Sequence, residues 1–145
     1  MRQIAALPFS TGSDGGLDVW LVTSRGSGRW IIPKGNSIRG LEPHEAAAQE
    51  ALEEAGLLGR AKRRCFGTFE FDKSRDGRTK TISIDVYLMK VERQLPSWVE
   101  KDQRSVLRCS VETALSLICS PSLGMLMEEL ILPEKPWRPA QAVLH

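Results

Sequence analysis

The segment from Pro43 to Ala55 constrains the fold more than any other part of the chain. After its first residue it contains no proline or glycine, and alanine, leucine, glutamate and glutamine dominate it. These residues favour a helix, proline suits the first helical position, and Gly56 suits the residue just beyond the end. We therefore predict a helix over residues 43–55.

This predicted helix carries three clustered acidic side chains. At about 100° per residue, Glu53, Glu50 and Glu54 lie at roughly 140°, 200° and 240° from Ala48. The packing face predicted on the other side consists of His44, Ala48, Ala51, Leu52 and Ala55. Like charges at these spacings repel and destabilise an isolated helix by a few tenths of a kcal/mol per pair.

Two interpretations of the acidic face remain open. One is a solvated helix surface, and the other is a site for a hard divalent cation such as Mg²⁺, which takes oxygen ligands and retains waters and substrate phosphates. The residues before the helix favour the second interpretation. The segment WIIPKG, residues 30–35, leads from a predicted strand into a loop. There Gly35 lets a backbone carbonyl approach a cation, and Lys34 can face phosphate.

The remaining segments predict a mixed α and β domain. Segments 17–24 and 30–33 have the composition of strands, and Asp-Gly between segments 62–72 and 78–91 indicates a hairpin. A further short strand is predicted at 106–110, with helices at 111–119 and 122–132. Strands, a helix, a hairpin and further helices in this order indicate an α/β or α+β sandwich.

Composition excludes several classes of protein. The 145 residues suit one domain, and 20 Lys and Arg against 18 Asp and Glu leave a net charge of +2. That balance argues against a nucleic-acid-binding or polybasic membrane protein, and no apolar run reaches the 18 or so residues of a spanning helix. We expect a cytoplasmic protein, a monomer or homodimer, with a single domain over residues 1–135 and an irregular tail at 136–145.

Residues 35–57, GNSIRGLEPHEAAAQEALEEAGL, resemble the signature of the Nudix hydrolases, Gx(5)Ex(7)REUxEExGU with U an aliphatic residue. In this register the matching residues are Gly35, Glu50, Glu53, Glu54, Gly56 and Leu57. The resemblance implies an α/β/α sandwich with a mixed central sheet. Within the family, the chain looks most like the compact branch of diphosphoinositol-polyphosphate and diadenosine-polyphosphate hydrolases.

Three positions depart from this signature. Leu41 stands where the signature has its first glutamate, with Glu42 one place later, and Gln49 stands in place of the arginine. Ala51, a minor departure, stands at the aliphatic position before the glutamate pair. The resemblance implies that the arginine helps to hold the glutamates in place. We therefore expect Gln49 to weaken or retune metal binding, whereas the complete set of three helix glutamates is compatible with catalysis.

The resemblance also implies a role for each acidic residue. Nudix enzymes hydrolyse phosphoanhydrides with Mg²⁺ or Mn²⁺ as the cofactor. By this resemblance Glu50 and Glu54 are metal ligands, Glu53 is a further ligand or the catalytic base, and the carbonyl of Gly35 completes the metal shell. Because the base can come from a later loop in relatives, Glu100 is a second candidate for that role.

Basic residues beside the motif are candidates for binding the phosphates of a small-molecule substrate. Arg25, Arg29 and Lys34 flank the loop and strand that enter it. The expected reaction is attack of water on phosphorus in a nucleoside diphosphate derivative, a dinucleoside polyphosphate or a diphosphoinositol polyphosphate. The alternative is a nucleotide-binding or regulatory module of the same fold without turnover, which the departures at Leu41 and Gln49 favour.

Overall fold

The computed structural model describes residues 2–132, so the boundary expected at residue 135 and the tail at 136–145 lie outside the described residues. The strands are β1 (Arg2–Thr11), β2 (Leu17–Thr23), β3 (Trp30–Ile31), β4 (Lys34–Gly35), β5 (Leu57–Ala61), β6 (Gly67–Arg75), β7 (Arg78–Gln94) and β8 (Val106–Ser110). The helices are α1 (Pro43–Ala55), α2 (Val111–Leu117) and α3 (Pro121–Glu128), followed by a 3-10 turn at Glu129–Ile131. Residues 2–132 contain no helix with the length and apolar character that crossing a membrane requires.

These strands form one mixed sheet with the central order β3-β2-β1-β7-β5. Strands β1 and β7 run parallel, from the pair Arg2–Ser83 to the pair Phe9–Lys90. The other strand pairs are antiparallel, with β4 on β1, β6 on β7 and β8 on β2. The mixed character expected for the central sheet is therefore confirmed.

Strand β1 is covered on both faces. Every residue from Gln3 to Phe9 is buried, although successive side chains of a strand point to opposite faces. Helix α1 packs on β1 and β5, α2 on β2 and β8, and α3 on β6. Cover on both faces confirms the expected α/β/α sandwich.

The first turn of α1 is fixed by charged side chains. The carboxylate of Glu45 accepts a hydrogen bond from the backbone N–H of Glu42 at 2.8 Å. Arg63 in turn donates to both carboxylate oxygens of Glu42 at 3.0 Å. Glu42 therefore serves the start of the helix, one place outside the register of the signature glutamate.

At its other end, α1 stops where the sequence predicts. Gly56 adopts the left-handed conformation at φ 71°, and its N–H bonds back to the carbonyls of Ala51 and Leu52. Strand β5 begins at the next residue and was not predicted. The strand predicted over 62–72 is correct only from Gly67 onward, where β6 begins, because residues 62–66 connect β5 to β6.

Candidate metal and phosphate site

Glu50 and Glu54 lie one turn apart on α1, with their carboxyl groups close enough for each to change the pKa of the other. Glu54 is only 3% exposed, and Glu50 is half-buried. Burial disfavours the charged form, and the neighbouring carboxyl adds to the effect, so the pKa of Glu54 is raised to about 8. The pKa of Glu50 is also raised, mainly by burial. Without a cation, the pair therefore retains a proton near neutral pH.

Gly35 on β4 lies directly against this pair. An ideal Cβ at residue 35 would stand 2.5 Å from Cδ of Glu50 and 2.7 Å from each of its carboxylate oxygens. Only a residue without a side chain allows the β4 backbone to approach the carboxylate this closely. The Gly35 backbone, predicted to approach a cation, therefore lies against one of the two carboxyl groups proposed as ligands.

A buried arginine, Arg104, connects the pair to the loop before β8. Its Nη2 atom lies 3.6 Å from Oε2 of Glu54, and its Nε donates to Oε1 of Glu100 at 2.7 Å. Its Nη1 donates to the carbonyl of Thr23 at 3.0 Å. Sequence reasoning missed Arg104, because nothing in the local sequence KDQRSVL distinguishes it from a surface arginine.

The loop that carries Glu100 docks on the C-terminal end of α1. The backbone N–H of Glu100 donates to the carbonyl of Glu53 at 2.9 Å, and the indole N–H of Trp98 donates to the carbonyl of Glu54 at 3.2 Å. The Trp98 ring also covers Gly56, where an added Cβ would lie 2.2 Å from a ring carbon. This docking places Glu100 beside the C-terminal end of α1, next to Arg104.

Glu53 has a different partner from the other two helix glutamates. The side-chain amide of Gln49 donates to Oε2 of Glu53 at 2.7 Å, and both residues are half-buried. Gln49 thus orients Glu53 without adding a positive charge.

The packing face of α1 differs from the one predicted. Its buried residues are Ala46, Ala47, Ala51, Glu54 and Ala55. His44, Ala48 and Leu52 are only partly buried. The prediction that all three glutamates face away from the packed side is wrong for Glu54, because the Trp98 loop and Arg104 cover that side of the helix.

The chemistry of these residues decides whether they suit a divalent cation. Within residues 2–132, no three Asp, Glu, His or Cys side chains converge as a ready ligand set. The site instead offers two neighbouring carboxyl groups on α1 and a glycine backbone against one of them. Oxygen donors of this kind suit Mg²⁺ or Mn²⁺, whose remaining positions waters and substrate phosphate fill. The residues present therefore fit a divalent cation of this kind.

A cleft of about 750 Å³ opens beside the pair. Its wall contains Glu54, Arg104 and the three predicted phosphate-binding residues, Arg25, Arg29 and Lys34. The ammonium of Lys34 lies 4.5 Å from the centre of the Phe71 ring, and burial lowers its pKa. The structure therefore brings the basic candidates together in the wall of the same cleft that Glu54 lines.

An α/β/α sandwich with a carboxylate-bearing helix beside a basic cleft defines a domain of the Nudix class. The sequence profile of the NUDIX domain matches residues 1–118, and the chain belongs to the Nudix family.

Curated relatives are similar to this chain over part of their length. Diphosphoinositol polyphosphate phosphohydrolase 3-beta of Bos taurus is 39% identical over 82 residues, which cover 56% of this chain and 46% of that protein. Diphosphoinositol polyphosphate phosphohydrolase NUDT4B of Homo sapiens is 32% identical over 127 residues, which cover 74% of this chain and 67% of that protein. The chain thus spans about half the length of the first relative.

Solved structures share the fold. The C. elegans Ap4A hydrolase superposes with a TM-score of 0.62 at 17% identity, covering 88% of this chain and 93% of that one. The NUDIX domain of Shewanella oneidensis NrtR, complexed with ADP ribose, superposes with a TM-score of 0.66 at 17% identity, covering 91% of this chain and 88% of that one. At these identities the likeness shows the fold alone.

The raised pKa of Glu54 predicts how the stability of the metal-free protein depends on pH. In the unfolded chain glutamate titrates near pH 4.3, so between about pH 4.3 and about pH 8 the folded state binds more protons and its stability falls as pH rises. We expect the Tm in the presence of a chelator to fall across this window in the wild type. Glu54→Gln, which mimics the protonated form, should flatten the curve. Parallel curves for the two proteins in thermal unfolding would contradict the assignment.

Proposed function

We propose that this domain is a metal-dependent pyrophosphohydrolase. Its substrate is a nucleoside diphosphate derivative, a dinucleoside polyphosphate or a diphosphoinositol polyphosphate, and water attacks phosphorus in its phosphoanhydride bond. The observation that carries the proposal is the pair of neighbouring carboxyl groups, Glu50 against the Gly35 backbone and Glu54 in the wall of a cleft with basic side chains. The names of the curated relatives, which are diphosphoinositol polyphosphate phosphohydrolases, support a small phosphorylated substrate.

In this proposal Glu50, Glu54 and the Gly35 carbonyl hold the cation. A divalent cation at this place supplies a Lewis acid that lowers the pKa of bound water and neutralises charge on the phosphoryl oxygens. Glu53, oriented by Gln49, is a further ligand or the group that takes the proton from water. Glu100 remains the second candidate for this base.

Arg25, Arg29 and Lys34 have a different task in the proposal. Their positive charges hold the phosphates that are not attacked, through charge-assisted hydrogen bonds that orient the substrate. Arg25 is braced for this by a hydrogen bond of 2.9 Å to the side chain of Gln103. Burial of Lys34 in the cleft wall strengthens its attraction to an anion, since water screens it less.

The alternative is a nucleotide-binding or regulatory module without turnover. Leu41 is 39% exposed at the position of a signature carboxylate, and Gln49 supplies a neutral amide where the signature has an arginine. These two residues favour the alternative, whereas the complete set of helix glutamates favours an enzyme.

A phosphate-release screen distinguishes the two functions. Nucleoside diphosphate sugars, dinucleoside polyphosphates, oxidised nucleotides and inositol pyrophosphates are incubated with Mg²⁺ or Mn²⁺ and either the wild type or Glu54→Gln. Turnover by the wild type alone supports the proposal. Binding of one of these compounds in calorimetry, with no turnover of any of them, supports the binding module and contradicts the enzyme.

Removal of one basic side chain from the cleft wall should act mainly on substrate affinity. We expect Arg29→Ala to raise KM about tenfold and to change kcat by less than about threefold, because the contact to an unreacting phosphate is equal in the ground and transition states. Arg75→Ala, at the exposed hairpin tip outside the cleft wall, is the matched control. Steady-state kinetics measures both, and a selective loss of kcat in Arg29→Ala would place this arginine at the reacting phosphate.

Restoring the arginine of the signature tests the neutral substitution on α1. We expect Gln49→Arg to keep or raise kcat/KM, because arginine offers Glu53 a charge-assisted partner in place of an amide. Gln49→Ala, which removes the 2.7 Å hydrogen bond, should lower it. If Gln49→Arg loses turnover while its Tm is unchanged, Gln49 has a role of its own.

A further inference from the structure

The clearest feature that the proposed chemistry does not use is the buried guanidinium of Arg104. Its side chain is 11% exposed and meets two carboxylates and one carbonyl, from Glu54, Glu100 and Thr23. All three of its nitrogen positions are therefore engaged. An arginine held in this way is part of the internal structure of the site and also forms part of the cleft wall.

The three contacts of Arg104 are unequal. Its bonds to Glu100 and Thr23 are 2.7 and 3.0 Å long, both within hydrogen-bond distance. The 3.6 Å to Glu54 is an ion pair without a direct hydrogen bond. The guanidinium is thus anchored on the loop side and is only electrostatically attracted to α1, so the contact to Glu54 is the one that a competing cation breaks at least cost.

Glu54 needs a positive charge more than its neighbours do. It is the most deeply buried of the helix glutamates, and Glu50 and Glu100 lie close enough to repel its charge. The neutral amide of Gln49 bonds to Glu53 and adds no charge. Compensation for Glu54 comes instead from Arg104, which lies 50 residues further along the chain.

We propose that Arg104 is a positioning residue that acts as an internal counter-charge for Glu54 and competes with the divalent cation for this carboxylate. The inference rests on the proposed function for the identity of the competing cation. In the metal-free domain Arg104 holds Glu54 and the Glu100 loop together. When a cation takes Glu54, Arg104 stays with Glu100 and the cation replaces it as the partner of Glu54.

The competition makes a prediction opposite to that of a merely structural role. Removing a structural support loosens the ligands and weakens metal binding, whereas removing a competitor strengthens it. The test uses Arg104→Met, which keeps the length without the charge, and Arg104→Lys, which keeps the charge. Arg108→Met is the matched control, since Arg108 pairs with Asp18 on the β2–β8 side of the sheet.

The first measurement is Mn²⁺ affinity by calorimetry on the four folded proteins. We expect Arg104→Met to bind Mn²⁺ at least about fivefold more tightly than the wild type, with Arg104→Lys and Arg108→Met within about twofold of it. If Arg104→Met binds Mn²⁺ no more tightly than the wild type, Arg104 does not compete with the cation for Glu54. Should Arg104→Met fail to fold, Arg104→Gln takes its place, with the same expected gain and the same contrary result.

The second measurement needs no metal. In the presence of a chelator and at about pH 9, above the pKa of about 8 that Glu54 has in the folded domain, a double-mutant cycle of Arg104→Met and Glu54→Gln is followed by Tm. We expect Arg104→Met to lower the Tm by several degrees in the wild type and by clearly less in the Glu54→Gln background. If the Tm losses of the two single variants simply add in the double variant, Arg104 does not act as a counter-charge for Glu54. If the wild type binds no Mn²⁺, the proposed function fails, and this cycle still decides whether Arg104 compensates Glu54.

Discussion

Glu54→Gln is expected to abolish divalent-cation binding and to lower kcat by about a thousandfold or more on the substrate that the screen identifies. Glutamine has the shape of the protonated carboxyl that the metal-free site contains, so the fold is retained. It lacks the anionic oxygen that a hard cation requires. The loss therefore falls on the chemistry and leaves the stability of the domain nearly intact.

Glu42→Gln provides the control for this prediction. Glu42 lies at the first turn of α1, where it pairs with Arg63. Its replacement should lower the Tm slightly, since an exposed ion pair contributes little, and should leave kcat within a few-fold of the wild type. A large loss of kcat in Glu42→Gln together with normal activity in Glu54→Gln would show that the register assigned to the acidic helix is wrong.

The helix itself was predictable because its determinants are local. Propensity, Pro43 at the first position and Gly56 in the left-handed conformation at the end act within a few residues of one another. The observed bounds, Pro43–Ala55, are those predicted from the sequence. The places of the three glutamates on the helix were therefore also predictable.

The surroundings of those glutamates were not predictable from a helical wheel. A wheel assigns one buried and one exposed face, but two separate layers contact α1, and the Trp98 loop closes over the side expected to be solvated. The burial of Glu54 and its contact with Arg104 follow from this docking, which joins residues about 50 positions apart. Contacts between residues so far apart in the chain leave no periodic pattern in the sequence.

Strand β1 illustrates a different limit. Pro8 argues against a central strand, because proline has no N–H to donate to a neighbouring strand. In the structure, β1 pairs with β4 at Ile4 and Ala5 and with β2 from Phe9 onward. Pro8 lies between these two pairings, where that edge of β1 makes no ladder contact. The proline marks the change of partner, which only the assembled sheet reveals.

The cysteines show a third limit of sequence reasoning. Free cysteine is among the most buried residue types, but Cys65 and Cys119 are exposed and Cys109 is only partly buried. Cys65 and Cys119 lie in connecting segments and Cys109 lies in β8, so the average burial of the residue type does not apply to these positions. Cys119 lies in the wall of the cleft, just beyond α2.

Gly35→Ala is expected to lower Mn²⁺ affinity at least about tenfold and kcat about a hundredfold while the domain stays folded. The added methyl group would overlap the carboxylate of Glu50, at 2.5 Å from its Cδ. This carboxylate is the end of a flexible side chain, so it turns aside at little cost to the fold. The displaced oxygens then no longer meet Glu54 beside the β4 backbone, and the proposed ligand set is broken.

Gly124→Ala is the matched control, because the nearest atoms to an added Cβ there lie 3.8 and 3.9 Å away. In helix α3 this change should stabilise the domain by up to about 1 kcal/mol through helix propensity and leave Mn²⁺ affinity unchanged. Calorimetry and thermal unfolding on both variants separate the two effects. If Gly35→Ala binds Mn²⁺ like the wild type, the close approach of β4 to Glu50 only packs the loop, and the cation is held elsewhere on the acidic helix.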